Sequence, residues 1–224
     1  MNEFKTEEEQ VEALKKWWSE NGTSLLLSVV VVAGGWFGWN TYQDNVRMTG
    51  EAASAVYSQL VEKAAQPVAS QTDAVKAEMI DLAEKLKNEY DSTVYSQFGG
   101  LFLARFAADN GDFDSAAAEL KAVIAAAEEG PVKLTATVRL AKIMIQLDKA
   151  DEALALIPAQ PDASYAAQFA EVKGDALFRK GDNAAARKAY VEAQAAAQEA
   201  GMNTQLLQRK IDSLTSAELV AEES

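Results

Sequence analysis

From Thr23 to Tyr42 the chain runs for twenty residues without a charge, TSLLLSVVVVAGGWFGWNTY. A helix rising ~1.5 Å per residue carries such a run across about 30 Å, the thickness of a bilayer's hydrocarbon core. Leu25 to Leu27, Val29 to Val32 and Phe37 each favour insertion, by roughly 0.3–0.6 kcal/mol. Trp17 and Trp18 precede the run, and Trp36, Trp39 and Tyr42 close it. Amphipathic rings of this kind settle at membrane–water interfaces, and all four tryptophans of the chain lie here. The spacing predicts a transmembrane helix over 22–42. Two rivals are a cleaved signal peptide and a soluble core helix. A signal peptide needs a basic start and a small-residue cleavage site, whereas here an acidic stretch precedes the run and aromatic residues continue past Ala33-Gly34-Gly35.

Lys5, Lys15 and Lys16 precede the span and only Arg47 follows closely. The positive-inside rule therefore puts residues 1–21 in the cytoplasm and the rest outside, which in a Gram-negative cell is the periplasm. Gly34 and Gly38 have the spacing that lets two membrane helices approach, but glycine is also simply common in such helices. Val11, Leu14 and Trp18 share one helical face of the N-terminal segment, suited to the membrane surface or a cytoplasmic partner.

The net charge is −13. Residues 1–21 hold six acids and three lysines, so −3, which leaves −10 beyond them. A field of that sign disfavours nucleic acid. Histidine and cysteine are both absent, which removes Ser-His-Asp and Cys-His catalysis, ordinary zinc or haem ligation, and any disulfide framework. No glycine-rich phosphate loop occurs. The adjacent carboxylates Glu128-Glu129, Asp151-Glu152 and Glu222-Glu223 fall at loops or ends and read as solvated surface. No enzyme, cofactor or metal is expected.

Beyond the anchor, apolar residues recur at helical spacing. Ala53, Val56, Tyr57, Leu60, Val61 and Ala64 form one stripe and Val75, Met79, Leu82 and Leu86 a second, a first antiparallel pair broken at Pro67. An internal repeat follows. GDFDSAAAEL, DKADEALALI and GDNAAARKAY align on Ala116, Ala153 and Ala186, at spacings of 37 and 33 residues. Twelve residues earlier stand Ala104, Ala141 and Gly174; four later stand Leu120, Ile157 and Tyr190. A small residue facing a small residue lets two helices cross closely, and the large neighbour fills the gap below. Gly111 and Gly181 follow helix ends in the C-cap manner, and Gly130-Pro131, Pro158 and Pro161 separate the copies. Leu207, Ile211 and Leu214 form a last stripe to cap the array, and residues 217–224 are expected to be a disordered tail.

The pattern resembles the tetratricopeptide repeat. The third copy, VKGDALFRKGDNAAARKAYVEAQ, fits best, with Gly174, Ala186, Tyr190 and Ala193 at signature positions; the first departs from the pattern at Gly100, where the family often has tryptophan. The expected fold is all-α: a single N-terminal transmembrane helix followed by a tetratricopeptide-repeat-like right-handed helical solenoid over 43–216. A generic helical bundle is the alternative.

The N-terminal stretch joined to the anchor is more distinctive still, and the order of segments is preserved after it. QVEALKKWWSENG leads into the span, then come QLVEKAA, VRLAKIMIQLDKADEALALI, GDALFRKGDNAAARKAYVEA and QLLQRKIDSL. This is similar to the ancillary SecYEG translocon subunit family, the YfgM-like inner-membrane proteins. The resemblance implies association with the SecYEG translocon and with a periplasmic chaperone of the PpiD type, and transfer of exported client proteins to chaperones. It implies no enzymatic activity. A regulatory role in envelope stress, and a scaffold role in another envelope complex, remain alternatives. In such repeats the first helix of each pair lines the concave face, which implies a partner groove at Phe98, Leu101, Arg105, Val138, Lys142, Ile145, Asp175 and Phe178. The same residues are core if the groove is filled by the chain itself. The groove lacks the Lys and Asn arrangement with which cytosolic repeats clamp a C-terminal carboxylate.

Overall fold

The computed structural model describes the backbone of residues 7–222 and, except at Glu7, Val68 and from 216 onward, their side chains. Among these residues every regular element is helical. The chain divides into two compact units, residues 1–52 and 53–224, each taken by itself below.

Helix α1, Glu7–Ala64, supplies all of the described part of the first unit and enters the second. The sequence reading placed an anchor at 22–42 and a separate helix from about Ala53. Instead the helix is unbroken, because nothing between them stops it. Arg47 pairs with Asp44 at 3.3 Å and with Glu51 at 3.9 Å, one turn to either side. The boundaries at 22 and 42 mark a change in side chains only. α1 is long and apolar enough to cross a membrane. Leu25 to Leu27, Val29 to Val32, Trp36, Phe37 and Trp39 are all exposed on it. Ser28 Oγ donates to Ser24 O at 2.8 Å, and Asn21 Nδ2 to Trp17 O at 3.1 Å. Both polar groups are thereby satisfied within the helix, as a membrane span would require. Nothing lies within 4 Å of the sites a Cβ would take at Gly34 and Gly38. Lys5, part of the orientation argument, lies outside the described residues.

In the second unit, α2 (Asp73–Glu89), α3 (Val94–Asp109), α4 (Phe113–Ala126), α5 (Pro131–Gln146), α6 (Ala150–Ala155), α7 (Ala166–Arg179), α8 (Asn183–Glu199) and α9 (Gln205–Glu222) follow in order. Short 3-10 turns stand at Val68–Ser70 and Ala163–Tyr165. The three repeats are α3/α4, α5/α6 and α7/α8. Three apolar clusters run along the array. Ala53, Val56 and Leu60 pack with Met79, Ala83 and Leu86. Leu120, Val138, Met144, Phe169 and Val172 belong to a central cluster. Tyr190, Ala193 and Ala197 hold Leu207, Ile211 and Leu214 of α9 at the end.

The repeat columns have a geometric meaning. Ala104, Ala116, Ala141, Ala153 and Ala186 are each no more than 3% exposed. A Cβ on Gly174 would lie 2.4 Å from Tyr190 Cε1, so the large residue of the third copy fills the space the glycine leaves. In the first copy adjacent glycines serve two neighbours. A Cβ on Gly99 would lie 2.6 Å from Ala83 O of α2, and one on Gly100 2.6 Å from Val123 Cγ2 of α4. Gly100 is therefore where α4 comes closest, with no room for a large ring.

The turns inside the three repeats are equivalent. Gly111, Asp148 and Gly181 take positive φ of 77, 63 and 81°. Each closes its helix with the same two bonds: Gly111 N–H to Ala108 O and Asp112 N–H to Ala107 O, then Asp148 to Ile145 and Lys149 to Met144, then Gly181 to Phe178 and Asp182 to Leu177. Asp112 and Asp182 next cap α4 and α8 through their side chains. The middle turn uses Asp148 where glycine would fit, and its Oδ1 accepts from Arg179 Nε at 2.9 Å in the next repeat.

Two expectations need correction. α6 ends at Ala155, ahead of Pro158, so Ile157 follows the helix and packs half-buried, unlike the buried Leu120 and Tyr190 in its column. The chain from 217 to 222 continues α9, built of strong helix formers such as Ala, Glu and Leu, in place of the disordered tail expected from 217; residues 223–224 lie outside the described residues.

Gly174→Ala forces a Cβ into the Tyr190 ring, and we expect the full-length protein in detergent to lose about 1–3 kcal/mol of stability in urea unfolding; an unchanged midpoint would mean the ring has room to move.

Candidate functional site

First helices of successive repeats lie side by side, α5 between α3 and α7. Long side chains on their outer faces line three adjoining hollows. Tyr57, Phe98, Leu101, Phe102, Arg105 and Arg139 wall the first, about 260 Å³. Arg105 and Arg139 also line the second, about 190 Å³, with Lys142 and Asp109. Lys142 continues into the third, about 360 Å³, with Ile145, Asp175, Phe178 and Arg179. Shared walls make one groove.

The structure brings together seven of the eight residues proposed from the repeat register. Val138 is the exception. It is 7% exposed and belongs to the central cluster, because α5 is covered by α3 on one side and α7 on the other. Its neighbour Arg139 is long enough to reach the surface and lines the groove instead. Tyr57 and Phe102 also escaped the sequence reading. Tyr57 sits in a stripe that reads as pure core, yet its ring stacks at 5.2 Å from Phe98 and 5.4 Å from Tyr95 at the groove's end. Phe178 is 54% exposed, a large apolar surface for a soluble face.

Charge is distributed unevenly along this face. At the α7 end, Lys210 of α9 donates to Glu171 Oε1 at 2.8 Å and Asp175 Oδ1 at 2.7 Å. Tyr190 OH donates to the same Asp175 oxygen at 2.8 Å, and the Lys210 ammonium sits 5.2 Å from the Tyr190 ring centre. α9 is thus held by ions to α7 as well as by Leu207, Ile211 and Leu214 in the terminal cluster. Burial pushes the Glu171 carboxyl up, but hydrogen bonds and charge from Lys210 and Lys142 outweigh it and hold the group below the usual carboxylate range. Burial pulls the Lys210 ammonium down, and its bonds to Asp175 and Glu171 carry it above its ordinary value. Burial and the Asp175 bond together raise the Tyr190 phenol far out of reach of neutral pH.

At the α3–α5 end the balance is cationic. Arg105 reaches Asp109 at 3.5 Å on its own helix, and Lys142 reaches Glu171 at 3.6 Å. Burial and the charge of Arg105 both lower Arg139. Of the carboxylate pairs singled out in the sequence, Glu129 bonds Lys133 at 2.6 Å and Asp151 bonds Lys180, on the surface; the side chains of Glu222 and Glu223 lie outside the described residues. What the groove offers chemically is apolar surface at both ends, beside Asp175 and Arg179 at one of them, with guanidinium and ammonium groups between.

The network at Lys210 predicts a pH profile. Glu171, depressed in the folded state, contributes stability above its unfolded value of ~4.3, and this is lost as pH falls through the lower folded value. Lys210, raised, contributes below ~10.4, and this is lost as pH rises through its higher folded value. Lys210→Met should cost about 1–2 kcal/mol near neutral pH, for two charge-assisted bonds at a partly exposed site. The penalty should be flat between about pH 5 and 10 and shrink below pH ~4 in urea titrations.

Comparison with known proteins places the chain among relatives. Residues 15–216 match the family described as a tetratricopeptide repeat-like domain. A protein of Escherichia coli (strain K12) named ancillary SecYEG translocon subunit is 30% identical over 96% of this chain and 100% of its own length. Proteins of the same name from Haemophilus influenzae and Neisseria gonorrhoeae are 28% and 27% identical, each over 93% of this chain and 97% of theirs. No solved structure matches.

Proposed function

This chain belongs to the ancillary SecYEG translocon subunit family, with its tetratricopeptide repeat-like domain, and from that premise we propose that it is an accessory subunit of the Sec translocon, anchored in the inner membrane. The observation that carries the proposal is the match to the Escherichia coli subunit over that protein's whole length, anchor segment included. In this reading residues 1–21 are cytoplasmic, 22–42 span the bilayer, and the domain from 43 to 216 works in the periplasm. The lysines before the span and the tryptophans at its ends support that orientation and depth.

The groove then holds protein. Its exposed Phe178 and the rings at its other end suit an apolar segment of a client or of a periplasmic chaperone of the PpiD type. Passing exported proteins from translocon to chaperone asks only for reversible binding close to the membrane. The anchor supplies the place, and the repeat face supplies the contact.

The chain has no cysteine, so a single introduced thiol reports topology cleanly. We expect E128C to react with a membrane-impermeant maleimide in intact spheroplasts and E12C to react only after lysis; the reverse pattern would invert the orientation. For function, in-cell crosslinking and isolation of the tagged chain should enrich translocon subunits over an anchor-only control. Replacing Phe98 and Phe178 together by serine should reduce chaperone or client capture in a protein that stays folded. A fall in melting temperature alone would mark these rings as core.

A further inference from the structure

The middle of the groove carries cations that the protein itself neutralises only in part. The chain's net charge is −13, yet Arg105, Arg139 and Lys142 gather on two neighbouring helices. Their counter-ions fall short. Lys142 reaches Glu171 at 3.6 Å, a carboxylate that it shares with Lys210 at 2.8 Å. Asp109 is an exposed i,i+4 partner of Arg105, a pairing of little strength. Arg139 has no acidic group within 4.0 Å among the described residues. Two guanidinium groups lining the same hollow repel each other, and an anion between them would relieve that repulsion. The planar fork of arginine fits a carboxylate with two parallel bonds. A polyanion such as nucleic acid is disfavoured by the acidic remainder of the chain.

On either side of the cations stand large apolar side chains: Tyr57, Phe98 and Phe102 at one end, and Ile145 and Phe178, beside Asp175 and Arg179, at the other. We propose that the groove binds an internal segment of a partner protein in which two or three carboxylates are flanked by aromatic or large aliphatic side chains, the carboxylates lying on Arg105, Arg139 and Lys142. The segment is internal because the three hollows share walls and continue past the cations in both directions. This rests on the reading of the groove as a partner site and adds the chemistry of the partner.

The test uses full-length protein in detergent and three fluorescent peptides of about fourteen residues, read by anisotropy. The first has Phe and Leu at both ends, three central Glu and an amidated C-terminus. The second replaces Glu by Gln. The third is the Gln peptide with a free C-terminal carboxylate. The acidic amidated peptide should bind at least tenfold more tightly than either neutral one, and the advantage should shrink as salt rises from about 0.05 to 0.3 M. R105Q/R139Q, changing two exposed side chains, should abolish the difference and leave the melting temperature unchanged. Equal binding of the acidic and neutral amidated peptides overturns the charge inference and leaves the partner groove standing. Preference for the free C-terminus overturns the internal segment. If no peptide binds, the inference falls; if the Phe98 and Phe178 double variant also keeps full capture in cells, the groove reading falls with it.

Discussion

Close approach of helices at small residues is the constraint on which this domain rests. Where Gly174 meets the Tyr190 ring, and where Gly99 meets the Ala83 carbonyl, there is no space for one more carbon. Those distances set how closely α7 packs on α8 and α3 on α2. The same packing places Tyr190 so that its hydroxyl reaches Asp175 and its ring lies beside Lys210. A crossing point, a hydrogen bond and the docking of α9 thus follow from one missing side chain.

Electrostatics divides the face the packing creates. At the α7 end the acids are answered from within, by Lys210 and Lys142. At the α3–α5 end the bases are answered poorly. With no histidine in the chain, no side chain there has an ordinary titration between about pH 5 and 8.

Much of the fold was legible because the repeat writes the same geometry three times. Ala104 with Ala116, Ala141 with Ala153 and Gly174 with Ala186 are columns that only close helix pairs explain. The capping stripe Leu207, Ile211 and Leu214 was equally plain, since a solenoid end must be covered. The unbroken α1 was not legible, because a change from apolar to polar side chains resembles a boundary although the backbone continues. The groove was read through a register of fixed positions, which works where a helix is exposed on one side, as at Leu101, and fails at Val138, where neighbours on both sides bury a short side chain. Arg139 and Tyr57 escaped for a related reason: which neighbours cover a residue is settled by contacts distant in sequence.

Asp148 has a wider consequence. An L-residue with a side chain at φ 63° gives up some backbone comfort that glycine would keep. In return its carboxylate reaches Arg179, so the turn of the second repeat is tied to the helix of the third. Lys180 to Asp151 ties the same two repeats again. In a linear array each unit is stabilised mainly by its neighbours, and strength at the joints decides whether units melt singly or together. Local strain at this turn is exchanged for coupling between units, at the shortest second helix of the three. Two ion pairs therefore cross from the second repeat to the third, beside the short α6.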